Sequence, residues 1–574
     1  MLKFPLGAFA LLLALSCSAG VLPDRFFFFW GDLVRPERWA KFSALVQTAA
    51  AHGLNGVVLE CNAENAFRWD EAKKARYREA RRLCEEAGVA IIPQVWSVGY
   101  GSMFSYSQDF VETSLLRGLP YVVRNGRLVF EHEEAPIGNA GFEKVGGDGR
   151  IEGWEADEPG RVVMSSARGA HGGLRCVEFV PGAAVSRHKH ARLYRKVEIS
   201  PFRRYRFSAW VRQREPAPGA FRPFLRVQVC GPNGETIGSS IVTNDVEDCD
   251  AWQRYWADFY TGTNSFVRVY VGAWEREGEE RPWLDEGRFW VDDVELTTLP
   301  ITKVPRGAGA PFAIKNLRTG RICQKGVDYA TPLPMADCRI RPDDPPVDIR
   351  VLGNGTLREG DRVRIAAALP AQARIFDKSP YGQYSACMSD PELYAYFARS
   401  AAAVEELLHP DKWMLSMDEI RAGGTCRACR ARQTDMAHIL GDCLTRQFRT
   451  IREVHPNAEV YVWSDMLDPV HNARDGYYAC RGTFEGVWNL IPKELVIVCW
   501  WKAKRDISMP FFNRLGFRTL AGAYYDAKDL DGCREWLETC RGNDLCRGMM
   551  YTTWKDRHEL LGAFGDLISE DTGR

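Results

Sequence analysis

The 574-residue chain carries 75 Lys and Arg against 75 Asp and Glu, a formal net charge of zero, and 45% of it is hydrophobic. Balanced charge argues against nucleic acid or an anionic membrane as the main partner. The apolar content is enough for roughly two to four domains with cores of their own. Its 17 cysteines are scattered, far below the density of a disulfide scaffold.

Lys3, the apolar run Phe4 to Leu15 and then Ser16-Cys17-Ser18-Ala19-Gly20 read as a secretory signal over residues 1–20, too short to span a bilayer. That implies a secreted or periplasmic protein, with lipid attachment at Cys17 left open. No other segment is long and apolar enough to cross a membrane. Phe26 to Trp30 is a solid apolar strand; Pro36 opens a helix with Trp39, Phe42, Val46 and Ala49 on one face. Gly56 to Cys61 and Val89 to Val95 are two more strands, separated by a charged helix that Asp70 starts and Gly88 closes. Strand and helix alternate as in a parallel sheet.

From about residue 139 to 300 the pattern changes to short alternating segments, among them 206–211, 225–229, 252–260, 267–271 and 289–296. Gly, Pro and Asn turns separate them, which predicts an antiparallel sandwich. Residues 301–375 read as a further small β region. Helix and strand alternation then resumes, with strands at 413–417, 459–463, 495–499, 519–524 and 549–553. Three strands before the insert and five after predict a (β/α)8 barrel built from residues 21–138 and 376–574, interrupted after its third strand.

The strand Trp413 to Met417 stops on two adjacent carboxylates, Asp418 and Glu419. A strand buried on both faces has no interior place for them, so they belong at its carboxyl end, where barrel enzymes keep their chemistry. A general acid at such a site needs a carboxyl of raised pKa, so that it holds a proton to give. Glu419, beside an ionised Asp418 and among tryptophans, has a like charge and an apolar wall to raise it.

The insert, opening on Asn139-Ala140-Gly141-Phe142-Glu143 and closing on Phe289 to Leu296, resembles the jelly-roll carbohydrate-binding modules attached to polysaccharide-degrading enzymes. The two barrel parts resemble glycoside hydrolase family 20, the β-N-acetylhexosaminidases. The resemblance is carried by Cys387 to Tyr394 ahead of the fourth strand, by Asp418-Glu419, and by Tyr524-Tyr525-Asp526 after the seventh. Trp463, Trp500 and Trp554 at strand ends and Asp32-Leu33-Val34-Arg35 after the first strand add to it. Two departures mark a divergent branch: no His-x-Gly-x precedes the pair, and Gln94 and Tyr100 stand where the family tends to have Glu and His.

The resemblance implies a retaining glycosidase in which the substrate's 2-acetamido oxygen is the nucleophile. Glu419 would be general acid/base, Asp418 would hold the acetamido N–H and Tyr524 would donate to its oxygen. Trp463, Trp500 and Trp554 would box the methyl group, Arg35 would fork onto ring hydroxyls and Asp526 would join the substrate site. A glycan substrate and no cofactor are implied. The alternatives are a catalytically silent glycan-binding protein and a glycosidase for another sugar on the same barrel. Cys426-Arg427-Ala428-Cys429 has zinc-ligand spacing, but no second such pair exists, and Cys387 and Cys443 are the candidate completions. The expectation is no metal, with free thiols or a local disulfide.

Overall fold

Four consecutive phenylalanines, Phe26 to Phe29, form the centre of strand β1 (Asp24–Trp30), and all four are buried because the strand is covered on both faces. Phe26 and Phe28 point into a barrel, against Val58, Ile92 and Met414, while Phe27 and Phe29 face the surrounding helices. The computed structural model describes residues 22–569 except 100–106, 108, 157–162, 168, 180–189, 215–223, 231–235, 243–249, 275–287, 331, 333–337, 342 and 374–382. The expected signal segment, Cys17 and Tyr100 lie outside the described residues.

The remaining barrel strands are β2 (Gly56–Glu60), β3 (Ala90–Val95), β4 (Lys412–Leu415), β5 (Glu459–Trp463), β6 (Val496–Cys499), β7 (Arg518–Gly522) and β8 (Cys546–Tyr551). Every neighbouring pair is parallel, and β8 closes onto β1. This is the expected eight-stranded barrel. Helices α1 (Pro36–Ala51), α2 (Glu71–Ala87), α3 (Pro391–Leu408), α4 (Met436–Val454), α5 (Arg505–Arg514), α6 (Asp531–Arg541) and α7 (Leu561–Ser569) surround it. Asp70 caps α2 by accepting the Lys73 N–H, Gly88 ends that helix at φ +67°, and Asp390 caps α3 through the Glu392 N–H.

The amino end of the barrel is tied by charge. Asp24 accepts from Lys412 Nζ at 2.7 Å, Tyr461 Oη at 2.9 Å and Arg547 Nε at 3.0 Å. Glu459 takes Arg518 at 2.6 Å and Lys412 at 3.0 Å. Strands β1, β4, β5, β7 and β8 thus meet in one network. Gly548 lets β8 lie against β1, since a Cβ there would sit 1.7 Å from the Asp24 carbonyl oxygen.

The chain leaves the barrel after β3 and returns before α3. In between, two antiparallel five-stranded sheets, one holding Arg204–Arg214 and the other Phe266–Trp274, enclose Phe142, Phe207, Val267 and Phe289. This is the expected sandwich. The small β region is larger than the sequence suggested. Phe312–Asn316 and Arg362–Pro370 pair with Thr113–Arg124 and Arg127–Phe130, which the sequence reading assigned to the first barrel part. The hairpin turns at Asn125 (φ +52°) and Gly126 (φ +70°), the left-handed pair that a tight two-residue turn requires. The sandwich meets this sheet through Tyr260 Oη to Leu115 O at 2.6 Å and Arg203 Nη2 to Gly118 O at 2.8 Å. Among the described residues no helix is long and apolar enough to cross a membrane.

Candidate active site at the barrel mouth

The period-two alternation that sends Phe26, Phe28, Met414, Tyr461 and Val498 into the barrel continues to the carboxyl ends of the strands. It delivers Trp30 from β1, Glu60 from β2, Gln94 from β3, Ser416 and Asp418 beyond β4, and Trp463 from β5 into one pocket of about 210 Å³. Trp554, following β8, and Glu64, in the turn after β2, complete it. Gly522 at the end of β7 leaves room for two tryptophans: a Cβ there would meet Trp500 Cβ at 3.2 Å and the Trp463 indole at 3.4 Å.

The pocket is acidic and aromatic. Burial, then Asp465 and then Glu419 push the Asp418 carboxyl up to about 8, while Ser416 Oγ lies 3.1 Å from Asp418 Oδ1. Glu64 is pushed up to about 8 by burial, with the neighbouring Glu60 adding to it. Burial also raises Glu60. Two lining residues, 8% and 2% exposed, have polar atoms with no partner among the described residues: Gln94 Oε1 and Trp463 Nε1.

Glu419 sits beside this pocket rather than in its lining. Its backbone adopts φ +45°, a left-handed conformation that costs free energy in a non-glycine residue. Asp465, fully buried, holds it there by accepting the Glu419 N–H at 2.9 Å, and also takes Asn472 Nδ2 at 2.9 Å. Glu419 Oε1 pairs with Arg421 Nη2 at 2.7 Å. Burial raises its pKa and Asp465 adds to that, but Arg421 opposes both. Gly99 brings the β3 loop against this turn, where a Cβ would meet the Asp418 carbonyl at 2.9 Å.

Of the other expected site residues, Trp463 and Trp554 line the pocket, 6.2 Å apart between ring centroids. Trp500 packs behind them, its indole N–H 3.4 Å from Asp465 Oδ1. Tyr524 does not reach the pocket: it stacks on Tyr551 at 4.0 Å and donates to the Ala527 carbonyl at 2.7 Å. The strand ends at Gly522, so the alternation no longer governs Tyr524, and its ring turns into the helix layer. Asp526 accepts from Thr553 Oγ1 at 2.5 Å and the Trp554 N–H at 2.8 Å, so it shapes the Trp554 loop. Arg35 is exposed at the N-cap of α1. Arg38 is the arginine that packs over Trp30, 4.8 Å from the ring centroid, and it pairs with Asp556 at 2.7 Å. Glu60, Glu64 and Asp465 were missed. Extending the β2 alternation one step would have found Glu60; nothing local marks the other two.

Glu64 gives a stability prediction. Its folded pKa lies above its ordinary 4.5, so between about pH 4.5 and about pH 8 the native state holds a proton the unfolded chain has lost. Its contribution is full below that window and is lost as pH rises through about 8. Glu64→Gln cannot titrate, so its Tm should fall less than wild type across that range. Parallel Tm–pH slopes would refute the assignment.

No protein-family model matches the sequence, and no curated protein does. Among solved structures, the CBM22-1 xylan-binding domain of Xyn10C from Paenibacillus barcinonensis is 14% identical, covering 28% of this chain and 90% of that one, with a TM-score of 0.21. A GH20 exo-β-N-acetylglucosaminidase from Vibrio harveyi is 12% identical over 34% of each chain, with a TM-score of 0.25. A β-N-acetylhexosaminidase is 14% identical over 33% of this chain and 43% of that one, also at 0.25. Values this low leave the function to be read from the pocket's own groups.

Proposed function

We propose that this chain is a glycosidase that admits one uncharged terminal sugar ring into the barrel mouth, with an N-acetylhexosaminide as its substrate class. The observation that carries the reading is the unpartnered pair, the Trp463 indole N–H and the Gln94 amide oxygen. Buried polar atoms are costly unless a partner is supplied. A sugar acetamido group offers both partners, an oxygen to accept and an N–H to donate. Trp30 and Trp554 give the ring apolar faces to stack on. Among the described lining residues there is no Lys, Arg or His, which disfavours an anionic substrate.

Asp418, protonated at neutral pH, gives its proton to the glycosidic oxygen as the C–O bond breaks. The acetamido oxygen, oriented by Trp463, closes on the anomeric carbon from the substrate's own side. Water then opens that ring, and Asp418 takes its proton back. This reading gives the donor role to Asp418 rather than Glu419, because Asp418 lines the pocket while Arg421 pairs with Glu419 and opposes the rise that burial gives its carboxyl. The orienting role expected of Tyr524 moves to Trp463.

Aryl N-acetylglucosaminides and N-acetylgalactosaminides should be turned over in preference to the corresponding glycosides without the acetamido group. Turnover of the latter alone would reject the substrate class. Trp463→Phe keeps the wall and removes the N–H. It should lower kcat/KM for acetamido sugars about 3- to 10-fold, the worth of one neutral hydrogen bond, and leave glycosides lacking that group unaffected. A second reading, glycan binding without hydrolysis, is favoured by the Glu419–Arg421 ion pair. Calorimetric binding of the same sugars with no release of aglycone would decide for it.

A further inference from the structure

Away from the pocket, four buried donor groups from three distant stretches of chain converge. Cys426 opens a short helix, Arg427–Ala431, and its sulfur accepts the Cys429 N–H at 3.3 Å. Cys387, ahead of α3, brings its Sγ to 3.3 Å from that of Cys426 and 3.6 Å from that of Cys429. Glu112, the residue before the strand Thr113–Arg124, places Oε2 3.4 Å from Cys429 Sγ. The four ligand atoms lie within 4.8 Å of one another.

A bonded disulfide has its sulfurs about 2.05 Å apart, so none of these pairs is one. Tetrahedral zinc with Zn–S near 2.3 Å places its sulfurs about 3.8 Å apart by geometry, close to the spacing here. Glu112 is oriented for such a role. Its Oε1 accepts the N–H groups of Thr425 and Cys426, each at 2.7 Å, and Thr425 Oγ1 at 3.1 Å, which leaves Oε2 to the sulfurs. Second-shell bonds of that kind fix metal ligands. Ser389 Oγ, 3.2 Å from Cys429 Sγ, adds another. Glu112 is 1% exposed and faces three thiols, a placement that costs free energy unless something positive neutralises it. Gly309 closes the far side, where a Cβ would sit 2.8 Å from Cys426 Sγ. Cys443, the other completion considered, lies against Tyr394 and is not in the cluster.

We propose that Glu112, Cys387, Cys426 and Cys429 bind a structural zinc ion. Four protein ligands leave no open position, so the ion does no chemistry. It binds as the three thiols lose their protons to solvent. Its place explains its use: Glu112 lies where the chain enters the four-stranded sheet, Cys387 where it returns to the barrel, and Cys426 in the loop that begins at Asp418. The ion therefore clamps the insertion to the loop that carries the acidic pair.

The test is metal analysis of the full-length protein, purified in reducing buffer without strong chelators. About one zinc per chain is expected, lost to background in Cys426→Ser/Cys429→Ser and held less tightly against a competing chelator in Glu112→Gln. Zinc-edge X-ray absorption on the wild type needs no variant and should show three sulfurs near 2.3 Å and one oxygen near 2.0 Å. A wild type that carries no zinc and takes none on titration overturns the proposal. So do zinc that persists in the double variant, a first shell poor in sulfur, or a Cys426–Cys429 disulfide in non-reducing peptide maps.

Discussion

Asp418→Asn should lower kcat/KM about 10²–10⁴-fold on glycosides with alkyl leaving groups, the usual worth of a general acid. Aryl glycosides with acidic leaving groups should lose much less, because such an oxygen departs without a proton. Asn is nearly isosteric and can still accept from Ser416, so thermal stability should hold. The pH profile supplies a second readout. Asp418 is held up to about 8 by burial, by Asp465 and by Glu419, so wild-type kcat/KM should fall as pH rises through that value. The fall should vanish from the residual activity of the variant. If Glu419→Gln gives the leaving-group-dependent loss instead, the donor is Glu419, as the family resemblance implied. Equal losses on both classes of leaving group would remove Asp418 from the proton transfer altogether.

The barrel was legible because its strands obey one rule. Runs such as Phe26 to Phe29 are apolar at every position only when both faces are covered, and all eight strands could be placed from such runs. The hairpin at Asn125-Gly126 was equally readable, yet the boundary was drawn past it, at residue 139 where the sandwich pattern begins. Site residues on the strands followed the same alternation: Trp463, Asp418 and Gln94 are where parity puts them, and Glu60 could have been named on that ground. Parity fails where the strand ends. Tyr524 lies two residues past Gly522 and answers to Tyr551, not to the pocket. Arg35 and Arg38 lie on the same loop and first helical turn, and only three-dimensional packing shows that Arg38 covers Trp30. Glu112 and Cys426 are 314 residues apart, a pairing no local pattern announces.

Backbone strain marks the working end of the barrel as well. Trp96, Glu419 and Asp526 all hold positive φ without being glycine, and each follows a barrel strand. The cost is met by neighbouring bonds: Trp96 Nε1 to Ser400 Oγ at 2.8 Å, the Glu419 N–H to Asp465, and the bonds of Asp526 to the Trp554 loop. The bonds of Asp526 also fix the loop that carries Trp554 to the pocket.

The opposite end of the barrel should respond in the opposite way. Asp24→Ala is expected to destabilise the protein by about 3–5 kcal/mol, the cost of removing one partner from a buried charged network, with kcat/KM at the pocket unchanged. Asp24 is 1% exposed and is the meeting point of Lys412, Arg547 and the Tyr461 hydroxyl. Without it two cations are left with Glu459, whose carboxyl burial would raise but Lys412, Arg547 and Arg518 hold down to about 2. That depressed value has its own signature. Its stabilisation is complete above the ordinary 4.5 and is lost as pH falls through about 2, so acid should loosen this end. Asp24→Asn keeps an acceptor for Tyr461 and loses only the charge, so it should fall between wild type and Ala in urea midpoint. On the proposed reading the two ends of the barrel divide the work, with this charged network serving stability where the strands begin and the proposed chemistry lying where they finish. An Asp24→Ala protein as stable as wild type, or one that is stable but slow on substrate, would break that division.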